Sequence, residues 1–234
     1  MKKRPVSKHV TILFALLAMF AGIPAFAQHS DLRSWNTFSF NYGINKKLTL
    51  NFDQEVRVQD NLTRINQLYT NIGATYKINK YVRVAGVYRF IARYKEDDSW
   101  GVRNRLYGDL IVKLRPGRFS FVYRARMQYE WRGAGYGKEY GNVPEIYWRN
   151  LFKASYKLND IVSPYFATEI RFQLQNPRIP YHNGFDRSRF TGGLDIQVSK
   201  SSTFGVYYLL QKEWNVIDPE TLNVIGLEYT ISID

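Results

Sequence analysis

The chain has 234 residues, no cysteine, 16% aromatic residues and a formal net charge of +13. Without cysteine it has no disulfide framework and no thiolate metal site, and a mean hydropathy of −0.37 excludes a bundle of membrane-spanning helices. A basic balance of this kind suits nucleic acid, anionic lipid or an anionic solute; no basic run or nucleic-acid motif favours the first.

Residues 1–27 have the form of a secretory signal. Lys2, Lys3, Arg4 and Lys8 make a positive start, Val10–Ile23 is apolar, and Ala25-Phe26-Ala27 is a small-residue cleavage site before Gln28. The apolar run falls short of the roughly 20 residues a spanning helix needs, so export with cleavage is expected rather than an anchor. The signal holds four basic and no acidic residues, leaving +9 on residues 28–234, which read as a single domain.

Period-two alternation then recurs in eleven segments. The first four are Trp35–Ile44, Leu48–Val58, Ile65–Ile78 and Tyr81–Tyr94. The clearest pair is Val102–Leu114 and Phe119–Trp131 around the turn Arg115–Arg118. One face there reads Phe119, Phe121, Tyr123, Ala125, Met127, Tyr129, Trp131, and the other is charged. Beyond it come Ile146–Leu158, Val162–Leu174, Arg187–Val198, Thr203–Trp214 and Leu222–Ile233. Arms of this length exceed the usual strand of about five or six residues and suit a tilted membrane-spanning strand of roughly 9–11. Short connections alternate with longer ones, the asymmetry of tight periplasmic turns and longer outer loops.

These features predict a transmembrane antiparallel up-and-down β-barrel of about ten to twelve strands, in contact with outer-membrane lipid. An even number is expected, as in bacterial single-chain barrels, so that either Gln28–Ser34 adds a short extra strand or threads the lumen, or the outer segments number other than eleven. Trp35, Trp100, Trp131, Trp148 and Trp214, with Tyr94 and Tyr129, all fall at one end of the segments. Aromatics with one polar atom favour the membrane boundary, so they are assigned to an outer girdle. A soluble barrel with the apolar face inward is the competing architecture; strand length and the one-sided tryptophans argue against it.

Several stretches resemble a family of outer-membrane barrels catalogued as a domain of unknown function, family 2490 of that series. They are Leu48–Arg57, Gly86–Phe90, Arg103–Asp109, Tyr123–Tyr129, Arg149–Lys157, Pro164-Tyr165 with Glu169, and Asn223–Tyr229. The resemblance implies a Gram-negative outer-membrane barrel and supplies no catalytic or ligand residue. It also implies assembly by the barrel-assembly machinery, although Asp234 stands where such barrels commonly end in an aromatic residue.

The alternation places sixteen basic and eight acidic residues on the inner face. The candidate lumen cluster is Arg83, Arg89, Arg103, Arg105, Asp109, Arg124, Arg126, Glu130, Arg149, Glu169 and Arg171, with Arg57, Arg187, Arg189, Glu55 and Glu213 also inward. A symmetric turn at Arg115–Arg118 would set Asp109 opposite Arg124 and Arg103 opposite Glu130. The cluster suits a lumen closed by ion pairs in a structural or interaction barrel. It also suits a porin-like path favouring small anionic solutes, because rings of Arg and Lys select negative ions.

An outer-membrane lipid-modifying enzyme is the third class and meets a shortage of bases. Outside the signal only His29 and His182 are available, neither beside a serine on a strand. Gly133, Gly135, Gly137 and Gly141 follow no strand-to-helix pattern and read as loop. Asp97-Asp98 reads as a solvated tip rather than a metal site, and Tyr136, Tyr140 and Tyr147 as loop or girdle packing rather than a glycan contact. No cofactor, metal or nucleic acid is expected.

Overall fold

The computed structural model describes residues 31–95, 97–136, 144–176 and 184–233. The signal segment, His29, Gly137, Tyr140, Gly141 and His182 lie outside these residues.

Eleven strands form one closed barrel: β1 (Leu32–Gly43), β2 (Leu48–Gln59), β3 (Arg64–Lys77), β4 (Val82–Tyr94), β5 (Trp100–Leu114), β6 (Phe119–Arg132), β7 (Glu145–Tyr156), β8 (Val162–Gln175), β9 (Gly184–Gln197), β10 (Ser202–Glu213) and β11 (Thr221–Ile233). Sequential neighbours pair antiparallel, as the alternation and short connections require. The closing pair does not. β1 runs parallel to β11, from Leu32↔Asn223 to Tyr42↔Ile233. The expectation of an even, wholly antiparallel barrel is therefore corrected. Leu32–Ser34 are the start of β1 itself, not an extra strand, and an odd sheet can close only through one parallel seam.

Turn chemistry explains one end of the barrel. Asn45, Asn79 and Asn159 each accept hydrogen bonds from the backbone N–H groups two and three residues on, so the asparagine side chain itself closes the turn. The turn between β5 and β6 is built on Pro116 and Gly117. Phe119 donates to the Pro116 carbonyl at 3.0 Å and Gly117 takes φ +59°. Centring the turn on Gly117-Arg118 moves the register by two residues from the symmetric expectation. Asp109 opposes Arg126, not Arg124, and Arg105, not Arg103, opposes Glu130. Arg103 still reaches Glu130 diagonally, at 2.8 Å.

The opposite end carries the connections 60–63, 95–99, 133–144, 176–183 and 214–220. The first is as short as the turns, so the length asymmetry is real but not strict. Three register shifts sit near this end. β-bulges re-aim side chains, and here they coincide with the buried polar residues Asn66 and Asp186.

The outer face is apolar: Phe38, Ile72, Leu106, Met127, Phe152, Phe166 and Leu227 are all exposed. With the charged face inward, this is the surface of a membrane-spanning barrel. Outward tyrosines bond outward asparagines on the next strand, Tyr88 to Asn104 at 2.6 Å, Tyr123 to Asn150 at 2.7 Å and Tyr208 to Asn223 at 2.5 Å, which removes unpaired amides from the lipid face. Inside, the seam is apolar where the rest of the wall is charged: Trp35, Leu209, Leu222 and Val224 form a buried cluster with Tyr207 against it. Tyr207 lies flat over Gly226, where a Cβ would approach its ring to 1.9 Å.

The parallel seam has a direct consequence. β1 begins at the loop end and β11 finishes at the turn end, so the two ends of the sheet face opposite sides of the membrane. Epitope tags inserted beside Asp31 and in the turn at 199–201 should label from opposite sides of intact membrane; labelling from the same side would contradict the eleven-strand closure.

Candidate functional site: the arginine-rich lumen

The inward residues form a belt that can be followed around the wall. Arg57 on β2 stacks on Trp35 of β1 at 3.6 Å and on Tyr69 of β3 at 4.4 Å. Arg89 on β4 lies over Tyr69 at 4.6 Å and near Tyr107 of β5 at 5.8 Å, and Arg126 on β6 covers Tyr107 at 3.7 Å. Arg126 opposes Arg149 on β7, Arg149 and Arg189 of β9 both bond Glu169 of β8, and Arg189 lies 5.2 Å from Trp35. Each such cation–ring contact contributes about 0.5–2 kcal/mol as it becomes desolvated, and together they fix the guanidiniums in place.

Carboxylates complete the belt. Asp109 takes a side-on pair from Arg126, both bonds at 2.7 Å. Glu130 holds Arg103 at 2.8 Å and Arg105 at 2.5 Å. Asp186 holds Arg171 through Nε at 3.0 Å and Nη2 at 2.5 Å, Glu55 holds Arg57 at 2.5 Å, and Glu213 holds Arg187. This pairing is what permits Arg126, Arg149, Arg171 and Arg187 to stand directly opposite one another on β6 to β9, since opposed like charges otherwise destabilise a strand pair.

Two cavities of about 240 Å³ each lie in the lumen, sharing Trp35, Tyr69 and the five arginines Arg57, Arg105, Arg171, Arg187 and Arg189 in their walls. The one towards the loops has a mixed wall, eight arginines with Glu130, Glu145, Glu213 and Glu220. The deeper one is lined by nine arginines and a single carboxylate, Glu55. Asp109, Glu169 and Asp186 of the belt line neither cavity.

Most of the sequence-derived cluster meets here: Arg89, Arg103, Arg105, Asp109, Arg124, Arg126, Glu130, Arg149, Glu169 and Arg171. Arg83 does not. It opposes Lys77 and Ile111 near the turn end, away from the belt. Asp186 and Glu145 were not legible as lumen residues. Asp186 reads as loop in the sequence, but β9 begins at Gly184 and the register shift beside Arg171 turns Asp186 inward, 1% exposed. Glu145 precedes the apolar run of β7 and is buried beside Tyr147, whose hydroxyl bonds it at 2.8 Å.

The girdle assignment needs one correction. Trp100 packs on Tyr94 at 5.4 Å and Trp131 on Tyr129 at 5.7 Å. Trp148, Phe172, Phe185 and Trp214 continue as an aromatic run at 5.5–6.0 Å. Trp35 is not part of it. Its position is one residue out of phase with Phe38, Phe40 and Tyr42, so it points inward, 7% exposed under Arg57.

Among the described residues no group of three or more His, Cys, Asp or Glu comes together to hold a metal ion. In the loop at 95–99, Asp97 accepts from the Ser99 hydroxyl at 2.6 Å and from Lys95 at 2.9 Å, leaving the tip internally bonded. Tyr136 bonds Arg103 at 3.1 Å at the lumen mouth.

The family described as "Protein of unknown function (DUF2490)" matches residues 32–220, and the chain belongs to it. No curated protein matches the chain. Among solved structures it is similar to a "Bacterial polysaccharide outer membrane secretin" (TM-score 0.45, 13% identity, covering 79% of this chain and 74% of that one). It is also similar to the NanC porin (0.49, 12%, 77% and 86%) and to the translocator domain of the autotransporter NalP from Neisseria meningitidis (0.37, 11%, 87% and 90%). These likenesses are of barrel architecture alone.

Two expectations follow. Asp109→Ala leaves Arg126 buried without its carboxylate and should cost about 3–5 kcal/mol, read from urea unfolding of the refolded barrel, with Asp109→Ala/Arg126→Met recovering most of it; equal stabilities for the single and double variants would contradict the pairing. In the loop, hydrogen bonds from Ser99 and Lys95 lower the Asp97 carboxyl from 3.8 to about 2. A lowered folded value favours the bonded tip above pH 3.8 and releases it as the pH falls towards 2. A carboxyl NMR titration should place the Asp97 midpoint near 2, and a midpoint near 3.8 would mean the bonds do not form.

Proposed function

We propose that the protein is an outer-membrane barrel without enzymatic activity, exported through a cleaved signal, whose lumen accepts and conducts small anionic solutes. One observation carries the reading: the deeper cavity wall presents nine arginines and one carboxylate. A solute there meets donors almost throughout, and rings of arginine select negative charge. The cavity is below the usual 300–1,000 Å³ of ligand pockets, which favours a small solute. The apolar outer face and the aromatic girdle support the outer membrane, and assembly there makes the barrel-assembly machinery a partner.

A second reading, a structural or interaction barrel with a sealed lumen, is favoured by the sharing of carboxylates. Glu55, Glu130 and Glu169 each lie within ion-pair distance of two or more arginines, a mesh that ties β2 to β9 across the wall. The lipid-hydrolase reading would need His29 or His182 as its base, and both lie outside the described residues.

Recording in planar bilayers separates the first two. The conduit reading expects small conductance steps with a reversal potential favouring anions. Silence, or cation preference, would sink it in favour of the sealed barrel.

A further inference from the structure

One corner of the belt departs from simple pairing. Glu169 accepts from three arginines: Arg149 through Nε at 3.2 Å and Nη2 at 2.5 Å and Arg189 through Nη1 at 3.2 Å, all on Oε1, and Arg124 through Nη2 at 2.7 Å on Oε2. Beside them Arg126 is matched by Asp109. Four arginines against two carboxylates leave two uncompensated positive charges in one corner, on strands β6, β7 and β9.

The arrangement is also one-sided. Arg124, Arg149, Arg189 and Gln128 line the deeper cavity and Glu169 does not, so the carboxylate braces the guanidiniums from behind. Arg124 is the least tied of them. It is held through Nη2 alone, and its buried Nε makes no hydrogen bond. A small rotation therefore re-aims it without breaking a second contact. Unmatched charge away from bulk water is costly, and the group that best cancels a double excess is a single dianion. Guanidinium edges match the paired oxygens of phosphate in two-point hydrogen bonds.

We propose that Arg124, Arg149 and Arg189 form a binding site for a small dianionic oxyanion, phosphate either free or as a monoester. Glu169 is its built-in counter-ion, which orders the three guanidiniums and holds their affinity down. The site rests on the reading that the lumen admits anions.

The test uses the full chain refolded in detergent and isothermal titration at pH 8, with inorganic phosphate, glycerol phosphate and chloride at matched ionic strength. Phosphate or its monoester should bind saturably, at one site, about tenfold or more tighter than chloride; whichever of the two binds identifies the source. Arg124→Gln keeps Glu169 paired with two arginines and should weaken binding by about tenfold, whereas Glu169→Gln should strengthen it. Heats indistinguishable from those of chloride, or an unchanged affinity in Arg124→Gln, would overturn the site. Binding without bilayer conductance would keep the site and remove the conduit; anion conductance without saturable binding would do the reverse.

Discussion

Backbone closure is the constraint on which everything else depends. In lipid no water is available to an unpaired N–H or C=O, so a sheet must join its first strand to its last. With eleven strands that join is parallel, and parallel pairing is slightly weaker per residue than antiparallel. The inner wall answers at that place. Along β10, β11 and β1 the charged lining gives way to Trp35, Leu209, Leu222 and Val224, so the weakest backbone pairing is backed by the barrel's apolar cluster. Trp35 belongs to both systems, packed into the seam on one side and stacked under Arg57 on the other. The belt therefore begins at the seam.

Closure also fixes what the interior must do. Alternation sends every second residue into the lumen, where low exposure favours charges that find partners within the wall. Arginine suits this better than lysine because its planar fork can bond a carboxylate and stack on a ring at once; Arg126 does both, with Asp109 and Tyr107. Lysines stand outside the belt: Lys77 near the turns, Lys95 in a loop, and Lys153 towards the turn end of β7, paired with Asp195 at 2.9 Å. Each carboxylate fixes its arginine in place, but the acids are fewer than the arginines, so the ordered lining keeps a net positive charge.

The architecture was legible because period-two alternation is set by the strand itself, and all eleven segments survive with their ends moved by a few residues. What the sequence could not convey were events that break the period. The bulge beside Arg171 is invisible in composition, and it alone makes Asp186 a lumen residue. The turn at Pro116-Gly117 could be centred in more than one way, and a shift of two residues preserves which face each side chain occupies while changing its partner, from Arg124 to Arg126 for Asp109. Trp35 was misassigned for a different reason: its height along the barrel suited a girdle, but its phase against Phe38 and Phe40 already pointed inward. Arg83 shows the converse limit, for a residue can face the lumen and still stand too far along the axis to join the belt.

The distribution of acids along that axis bears on direction. The loop-side cavity mixes arginines with Glu130, Glu145, Glu213 and Glu220, while the deeper one keeps Glu55 alone. Both walls are cationic, eight arginines against four carboxylates near the loops and nine against one deeper in, so on the conduit reading the pull on an anion would grow with depth. The bulges that add Asn66 and Asp186 lie near the loops, directly beside Arg57 and beside the opposed pair Arg171 and Arg187, so the irregularities of the sheet bring further buried polar groups to the edge of the belt.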